Sequence, residues 1–479
     1  MMSNLKQKAL KGVFWSLFDK IINQAGSFAL LIYLSRVLSP SDFGLIAMLA
    51  IFLAVAQSLI DSGFSQALIQ KSNNVTENDL STAFYINLVV SILLYFMLYI
   101  SAPIIADFYR QPVLVDLSRV LFFVIIINAI AIVPRTKLLI AINFKKQSLI
   151  NSISMIVSAF VAIYMVWGGF GYWALVGMSL SKSVISSVLL IYFSRWYPKF
   201  IFSIESCKSL FSFGSNLLVV GIISTIVQNL YSILIGRYFN ATQVGYFQQG
   251  FNYTNILSVT ISSVTQGVAY PVMSSIQEDK ERLLQIYIKV MGIITLSTFP
   301  FFIGFAAISE EFVVIFLGDK WTPIIPIIVI LSFARLITPI SSLNLTILKA
   351  RGRSDLFLKT DLSKLPMTIL ALFLAIPYGI LGVAIAQLIT TFISFFINAY
   401  YPGKLFGFGA KEQLKQLYPI VVASVIMYLS ISFIKLDDIL IQFVVKILVG
   451  AFVYIVVCWL LKVQALSDCL KLIKGQTKK

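Results

Sequence analysis

Lys182 and Arg335 each stand near the middle of a long apolar run. A charged side chain at the centre of a membrane helix costs roughly 2.5–3.5 kcal/mol, so it is normally met by a partner or by a water-filled cavity. Lys20 occupies a third run, beside Asp19. Sequence neighbours do not face each other across one helix, so Asp19 and Lys20 must each meet something on a different side. Lys20, Lys182 and Arg335 are therefore the candidate substrate-binding cations. Phosphate suits them, because hydrogen bonds between Arg or Lys and an anion are the strong ones. Asp19 and Asp61, the carboxylates within apolar runs, are the candidates for coupling to a cation. Lys446 lies about two turns from the end of its run and reads as a side chain that snorkels to the interface.

Amides supply a second pattern. Gln248, Asn252, Asn255, Ser262 and Gln266 recur at steps of four, three, seven and four, which is one face of a helix. Asn23 and Gln24 follow Lys20, and Gln57, Gln228 and Asn229 lie in two further runs. A polar stripe on a membrane helix lines water or another helix, never lipid. Packing alone would give each amide an interhelical bond of only about 0.6 kcal/mol, whereas a wet cleft of amides suits the many hydroxyls of a sugar. Arg36, Asp42 and Arg237 belong to turns between runs. The two arginines are expected to bind the C-terminal carbonyls of the helix they end, and Asp42 to join a local gate contact. Histidine is absent, which removes the commonest general base and metal ligand. Cys207, Cys458 and Cys469 show no pairing pattern. No metal and no cofactor are expected. There is no G-x-x-x-x-G-K-[ST] string either, so ATP hydrolysis is not expected, and the chain is read as a non-enzyme.

These side chains need helices that cross a bilayer. The 479 residues are 59% hydrophobic and 12% charged, with a mean hydropathy of +0.91 and a net charge of +17. That composition excludes a soluble core and predicts an all-α polytopic membrane protein. Runs of about 18–25 apolar residues predict about fourteen spans. They fall at 13–34, 42–62, 80–104, 117–138, 149–167, 171–193, 210–235, 243–271, 286–308, 323–347, 361–377, 379–401, 417–434 and 440–461. Loops on one side hold most of the Lys and Arg, whereas the other side holds only Arg36, Arg110, Arg119, Arg237, Lys320 and Lys435. This bias predicts that both termini are cytoplasmic. The basic residues are spread over many short loops, so the charge speaks for topology and anionic lipid and against nucleic acid. The basic start runs straight into a span without a small-residue cleavage site, so no signal peptide is expected. The outer connections near 105–117 and 309–322 are short, which leaves no room for an extracytoplasmic domain. The tail 463–479 predicts an amphipathic surface helix. Pro134, Pro271, Pro300, Pro339 and Pro366 predict bends.

The chain also repeats itself. Residues 30–46, LLIYLSRVLSPSDFGLI, align with 231–247, YSILIGRYFNATQVGYF, so that Arg36 matches Arg237, Ser41 matches Thr242 and Gly44 matches Gly245. LLIAINFKKQSL (138–149) echoes LTILKARGRSDL (345–356), and GFGYWALV (169–176) echoes GILGVAIA (379–386). Three echoes in one order predict two pseudo-symmetric lobes of six helices, 1–200 and 201–408, followed by two helices and a basic tail, 409–479. Duplicated lobes are the usual architecture of alternating-access transporters.

Gly12 to Trp15 (G-x-x-W), SRVLSPSDFG (35–44), DSGF (61–64), KLLIAINFKKQS (137–148) and LKARGRSD (348–355) carry a resemblance. With them, the whole chain resembles the polysaccharide flippases (Wzx-type) of the multidrug/oligosaccharidyl-lipid/polysaccharide exporter superfamily. The resemblance implies a MATE-like fold and alternating access. The cargo would be an undecaprenyl-diphosphate-linked oligosaccharide, moved across a bacterial plasma membrane for capsule, O-antigen or exopolysaccharide assembly. It implies a cationic cavity, which Lys20, Lys182 and Arg335 match in type. A monomer in contact with membrane lipids is expected, feeding a polysaccharide polymerase and chain-length machinery. Two readings on the same fold stay open: a MATE-like multidrug exporter, which would favour acidic sites, and a lipid II flippase, which differs in cargo alone. A polymerase or ligase would carry a large outer loop with catalytic His or Arg, and this sequence has neither.

Overall fold

The computed structural model describes residues 22–61, 64–71, 74–141, 143–211, 225 and 229–473. Every regular element among them is helical. Ten stretches of the described residues are long and apolar enough to cross a bilayer, from Pro40–Ile60 to Ile439–Leu460. The chain divides into two compact units, Met1–Gly245 and Tyr246–Lys479.

In the first unit, α1 (22–37) leads through a tight turn into α2 (Pro40–Asp61) and α3 (Phe64–Gln70). Then come α4 (Glu77–Ile100), α5 (Ala102–Tyr109), α6 (Leu114–Leu121), α7 (Val124–Ile140), α8 (Phe144–Trp167), α9 (Trp173–Ser194), α10 (204–211) and α11 (Leu230–Tyr238). Local chemistry sets the first turn. The Ser39 hydroxyl accepts from Asp42 N at 3.3 Å, and the Asp42 carboxylate accepts from Ser39 N at 2.8 Å. This is a reciprocal cap, with Pro40 at the first helical position, where its missing N–H is not needed. The second copy of the motif does the same with other residues: Asn240 Oδ1 accepts from Gln243 N at 2.9 Å, at the start of α12 (Ala241–Ser275).

The two copies then meet through glycine. A Cβ on Gly44 would lie 1.7 Å from the Ala241 carbonyl oxygen, and one on Gly245 would lie 1.8 Å from the Pro40 carbonyl oxygen. Pro40 and Ala241 are themselves equivalent positions, so the contact is reciprocal, as an approximate twofold relation between the copies requires. Both contacts lie within the first unit.

The second unit continues with α13 (Lys280–Ala307), α14 (Ser309–Phe312), α15 (Ile325–Ala350), α16 (Ser354–Ser363) and α17 (Leu365–Ala375). It closes with α18 (Gly379–Phe406), α19 (Ala410–Ser432), α20 (Ile439–Leu460) and α21 (Gln464–Ile473). Its core joins Met291 and Phe302 of α13, Ile340 of α15, Met427 of α19, Cys458 of α20 and Ala465 of α21. A ring of buried hydrogen bonds fixes α19: Tyr287 OH donates to Asn344 Oδ1, Asn344 Nδ2 to Gln413 Oε1 at 3.1 Å, and Gln413 Nε2 to Tyr287 OH at 3.1 Å. Tyr454 OH donates to the Leu296 carbonyl at 2.9 Å and fixes α20.

Several expectations need correction. Lys446 does not snorkel: it is 7% exposed and pairs with Glu311, itself 1% exposed, which also accepts from Gln442. A partner carboxylate at the start of α14 removes the reason for the ammonium to seek water. The short connections 105–117 and 309–322 are themselves largely helical. They fold as short helical turns whose apolar residues, among them Leu114, Leu117, Phe312 and Trp321, are buried. The fourth predicted span is one stretch, Leu114–Ile140, but its helix is interrupted at Phe122 and Phe123, between α6 and α7. Pro134, Pro271, Pro300 and Pro339 do lie inside helices, but Pro366 sits in the first turn of α17, where it breaks no hydrogen bond.

Candidate functional site

Arg335 is the best-defined member of the candidate set. It lies ten residues along α15, about 15 Å from the start of that helix. Its guanidinium stands 4.6 Å from the centroid of the Phe251 ring, an arrangement that stabilises a cation without neutralising it. The side chain is 9% exposed, and its Nε and Nη2 are buried without a hydrogen-bond partner among the described residues. Leaving a buried donor unmade costs about 1–3 kcal/mol, and more when the group is charged. The local fold produces this arrangement: a Cβ on Gly250 would lie 2.8 Å from Ile327 Cγ2, so the glycine admits α15 close against α12, beside Phe251. Further unsatisfied atoms accompany it on α15 and on α18, its packing neighbour. These are Ser332 Oγ, Ser341 Oγ, Gln387 Oε1 and Asn398 Oδ1.

The amide stripe runs along α12 and includes the turn that carries Phe251. Gln248, Asn252 and Asn255 are half-buried. Gln248 Nε2 donates to Asn252 Oδ1 at 2.9 Å, and Asn252 Nδ2 to Gln249 Oε1 at 3.2 Å. Gln248 and Asn252 thus bond along their own helix. Gln266 lies on the same helix, with its side chain outside the described residues. The structure thus brings Arg335 together with the Gln248–Asn255 turns.

The first unit holds Lys182 on α9, exposed. At about 100° per residue it lies roughly 120° round the helix from the exposed apolar stripe Val184, Val188 and Tyr192. It shares a face with Ser179 and Ser186, away from the side best suited to lipid. Gln57 is spent on packing, because its Oε1 accepts from Asn128 Nδ2 of α7 at 3.0 Å. Asn23 and Gln24 are half-buried on α1. The backbone of Asp61 ends α2, with its side chain outside the described residues, as are Asp19, Lys20 and Gln228 altogether.

The turn residues act locally, but not as expected. Asp42 is engaged by Ser39. Arg237 Nη1 donates to the Phe108 carbonyl at 2.8 Å, and its guanidinium lies 5.2 Å from the Phe108 ring centroid. It therefore holds the end of α5 and not the carbonyls of its own helix, because Gly236 lets Tyr109 approach α11 closely. Arg36 is exposed at the end of α1.

The sequence reading missed Gln387, Asn398 and Asn128. Gln387, Thr390, Thr391 and Asn398 follow helical spacing along α18, a signal as regular as the α12 stripe.

Comparison places this architecture. The profile of the polysaccharide biosynthesis protein family matches residues 33–326, more than half of the chain. The teichuronic acid biosynthesis protein TuaB of Bacillus subtilis (strain 168) is 29% identical over 359 residues, covering 72% of each chain. The lipopolysaccharide biosynthesis protein WzxC of Escherichia coli (strain K12) is 24% identical over 412 residues, covering 82% of this chain and 81% of its own. Among solved structures, the lipid II flippase MurJ in an inward closed conformation aligns with a TM-score of 0.75 at 15% identity. The alignment covers 94% of this chain and 98% of that one. The fold is therefore shared with that structure, and the chain belongs to the polysaccharide biosynthesis protein family.

Proposed function

We propose that this chain moves an undecaprenyl-diphosphate-linked oligosaccharide from the cytoplasmic to the outer leaflet of a bacterial plasma membrane by alternating access. The observation that carries the reading is Arg335, a buried guanidinium with two unpartnered nitrogens, braced on an aromatic ring beside a stripe of amides. A diphosphate oxygen would complete those donors, and Gln248, Asn252 and Asn255 would meet sugar hydroxyls. A charged glycan headgroup does not cross hydrocarbon unaided, since desolvating it costs many kcal/mol. In this reading Lys182 and Lys20 extend the cationic lining, and Asp19 or Asp61 couples transport to a cation. Fourteen spanning helices form two lobes, 1–200 and 201–408, with 409–479 appended and both termini cytoplasmic. The chain works as a monomeric transporter without cofactor, and its product passes to a polymerase and its chain-length machinery. The names of its relatives support a place in glycan assembly. An exporter of organic cations would be served by carboxylates, and the buried charge beside the amide stripe is a cation.

The test is complementation of a strain that lacks this chain. Arg335→Ala is expected to abolish surface polymer at unchanged protein level, with lipid-linked oligosaccharide accumulating in the membrane. Arg335→Lys, which keeps the charge but not the planar fork, is expected to retain a minor fraction. Normal export by Arg335→Ala would remove the guanidinium from the cargo path.

A further inference from the structure

A second cationic site lies where α8 begins and α9 ends. A cavity of about 550 Å³ there is lined by Lys146, Tyr192, Phe193, Arg195 and Tyr197. Lys146 is half-buried, and its Nζ donates to the Phe193 carbonyl at 3.3 Å, which holds the ammonium in place and leaves it further donors. That contact also answers the exposed carbonyl end of α9. The charge of Arg195 is therefore not needed for it, and its guanidinium has no hydrogen-bond or ion-pair partner among the described residues. Arg195 moreover stands at φ +50°, a left-handed cap position that glycine fills without strain. A strained backbone is kept here by a residue whose side chain is long, charged and unspent. Tyr192 and Tyr197 line the same cavity.

The surroundings identify the medium. Tyr192 is 70% exposed, Tyr197 69%, Phe200 100%, Phe202 58% and Ile204 67%. Aromatic and aliphatic side chains exposed beside cations are stable where hydrocarbon meets headgroups, and poorly so in open water. The same end of α8 carries the basic run Lys145 and Lys146, within the set of loops that hold most of the Lys and Arg of the chain. Basic hollows at the ends of membrane helices bind phosphate headgroups.

We propose that Lys146 and Arg195 clasp the phosphate of an anionic phospholipid, with Tyr192 and Tyr197 bracketing its glycerol region. This site is separate from Arg335 and does not depend on what the chain transports. It would hold the α8–α9 hairpin at the membrane surface.

The test uses the full-length protein in neutral detergent, with cardiolipin, phosphatidylglycerol and phosphatidylcholine as probes and retained lipid read by native mass spectrometry. Lys146→Gln with Arg195→Gln is expected to lower retention of the two anionic lipids at least tenfold and to leave phosphatidylcholine unchanged. Arg195→Gly removes the charge while suiting the backbone, so it should lose anionic lipid without losing thermal stability. Arg195→Lys should keep most of the binding. A control pair, Lys411→Gln with Lys415→Gln, should bind as the unaltered protein does. Retention that survives the Lys146/Arg195 changes, or that falls equally in the control pair, overturns the proposal. So does displacement of the lipid by millimolar pyrophosphate, which would mark a site for soluble phosphate instead.

Discussion

At the scale of single residues, the charges divide by whether the protein itself answers them. Lys446 is answered by Glu311, whereas among the described residues Arg335 meets an aromatic ring but no hydrogen-bond partner for Nε and Nη2. This difference separates a structural ion pair from a candidate binding group, and it was illegible in the sequence. The partner of Lys446 lies 135 residues earlier in the chain, in a stretch whose spacing suggested only a connection. Apolar periodicity says that a charge is buried, but it does not say what the charge meets. The pair yields a prediction. Glu311→Gln should strand a buried ammonium and destabilise the second unit by about 3–5 kcal/mol. Adding Lys446→Met to it should recover most of that loss, because no buried charge is then left and a neutral amide at position 311 keeps its hydrogen bond with Gln442. Thermal unfolding of the purified single and double variants reads this directly. If the single change left stability unaltered, the pair would be exposed to solvent after all.

At the scale of elements, the turn motif is the part of the fold most plainly written in the sequence. Ser39–Pro40 with Asp42 spells a helix start, and Asn240 with Gln243 spells it again. The positions of Gly44 and Gly245 announce two sites without side chains, although only the structure shows that each faces the other helix's carbonyl. Elements that rely on tertiary burial were less legible. The turns at 309–322 carry Phe312, Leu317 and Trp321, which read as loop residues until the core that receives them is known. Backbone has no room to yield at the glycine crossing, so Gly44→Ala and Gly245→Ala should each destabilise by about 1–3 kcal/mol or more. The two effects should be similar, because the contact is reciprocal. Thermal unfolding that shows Gly44→Ala as stable as the parent would refute the close approach.

At the scale of the whole molecule, the message of the sequence is an asymmetry of charge. Most cations lie in alternate loops, whereas Arg110, Lys320 and Lys435 belong to the opposite set. Moving Lys or Arg across a bilayer during insertion is costly, so the richer side is predicted to stay in the cytoplasm. Of the sparse set, Arg110 caps α5, Lys320 lies in the turn Asp319–Ile324 and Lys435 precedes α20; of the rich set, Lys145 and Lys146 lie in the first turn of α8, Arg353 precedes α16 and Lys411 lies in the first turn of α19. The prediction uses a chain without its own thiols, made by Cys207→Ala, Cys458→Ala and Cys469→Ala. Single cysteines then replace Arg110, Lys320 or Lys435 on one side, and Lys145, Arg353 or Lys411 on the other. In intact spheroplasts an impermeant maleimide should label the first three, and it should reach the second three only after lysis. The two sets interleave along the chain, so one misplaced span between two sites would invert every later site. A single reversal in the labelling would therefore locate the helix at which the inferred topology fails.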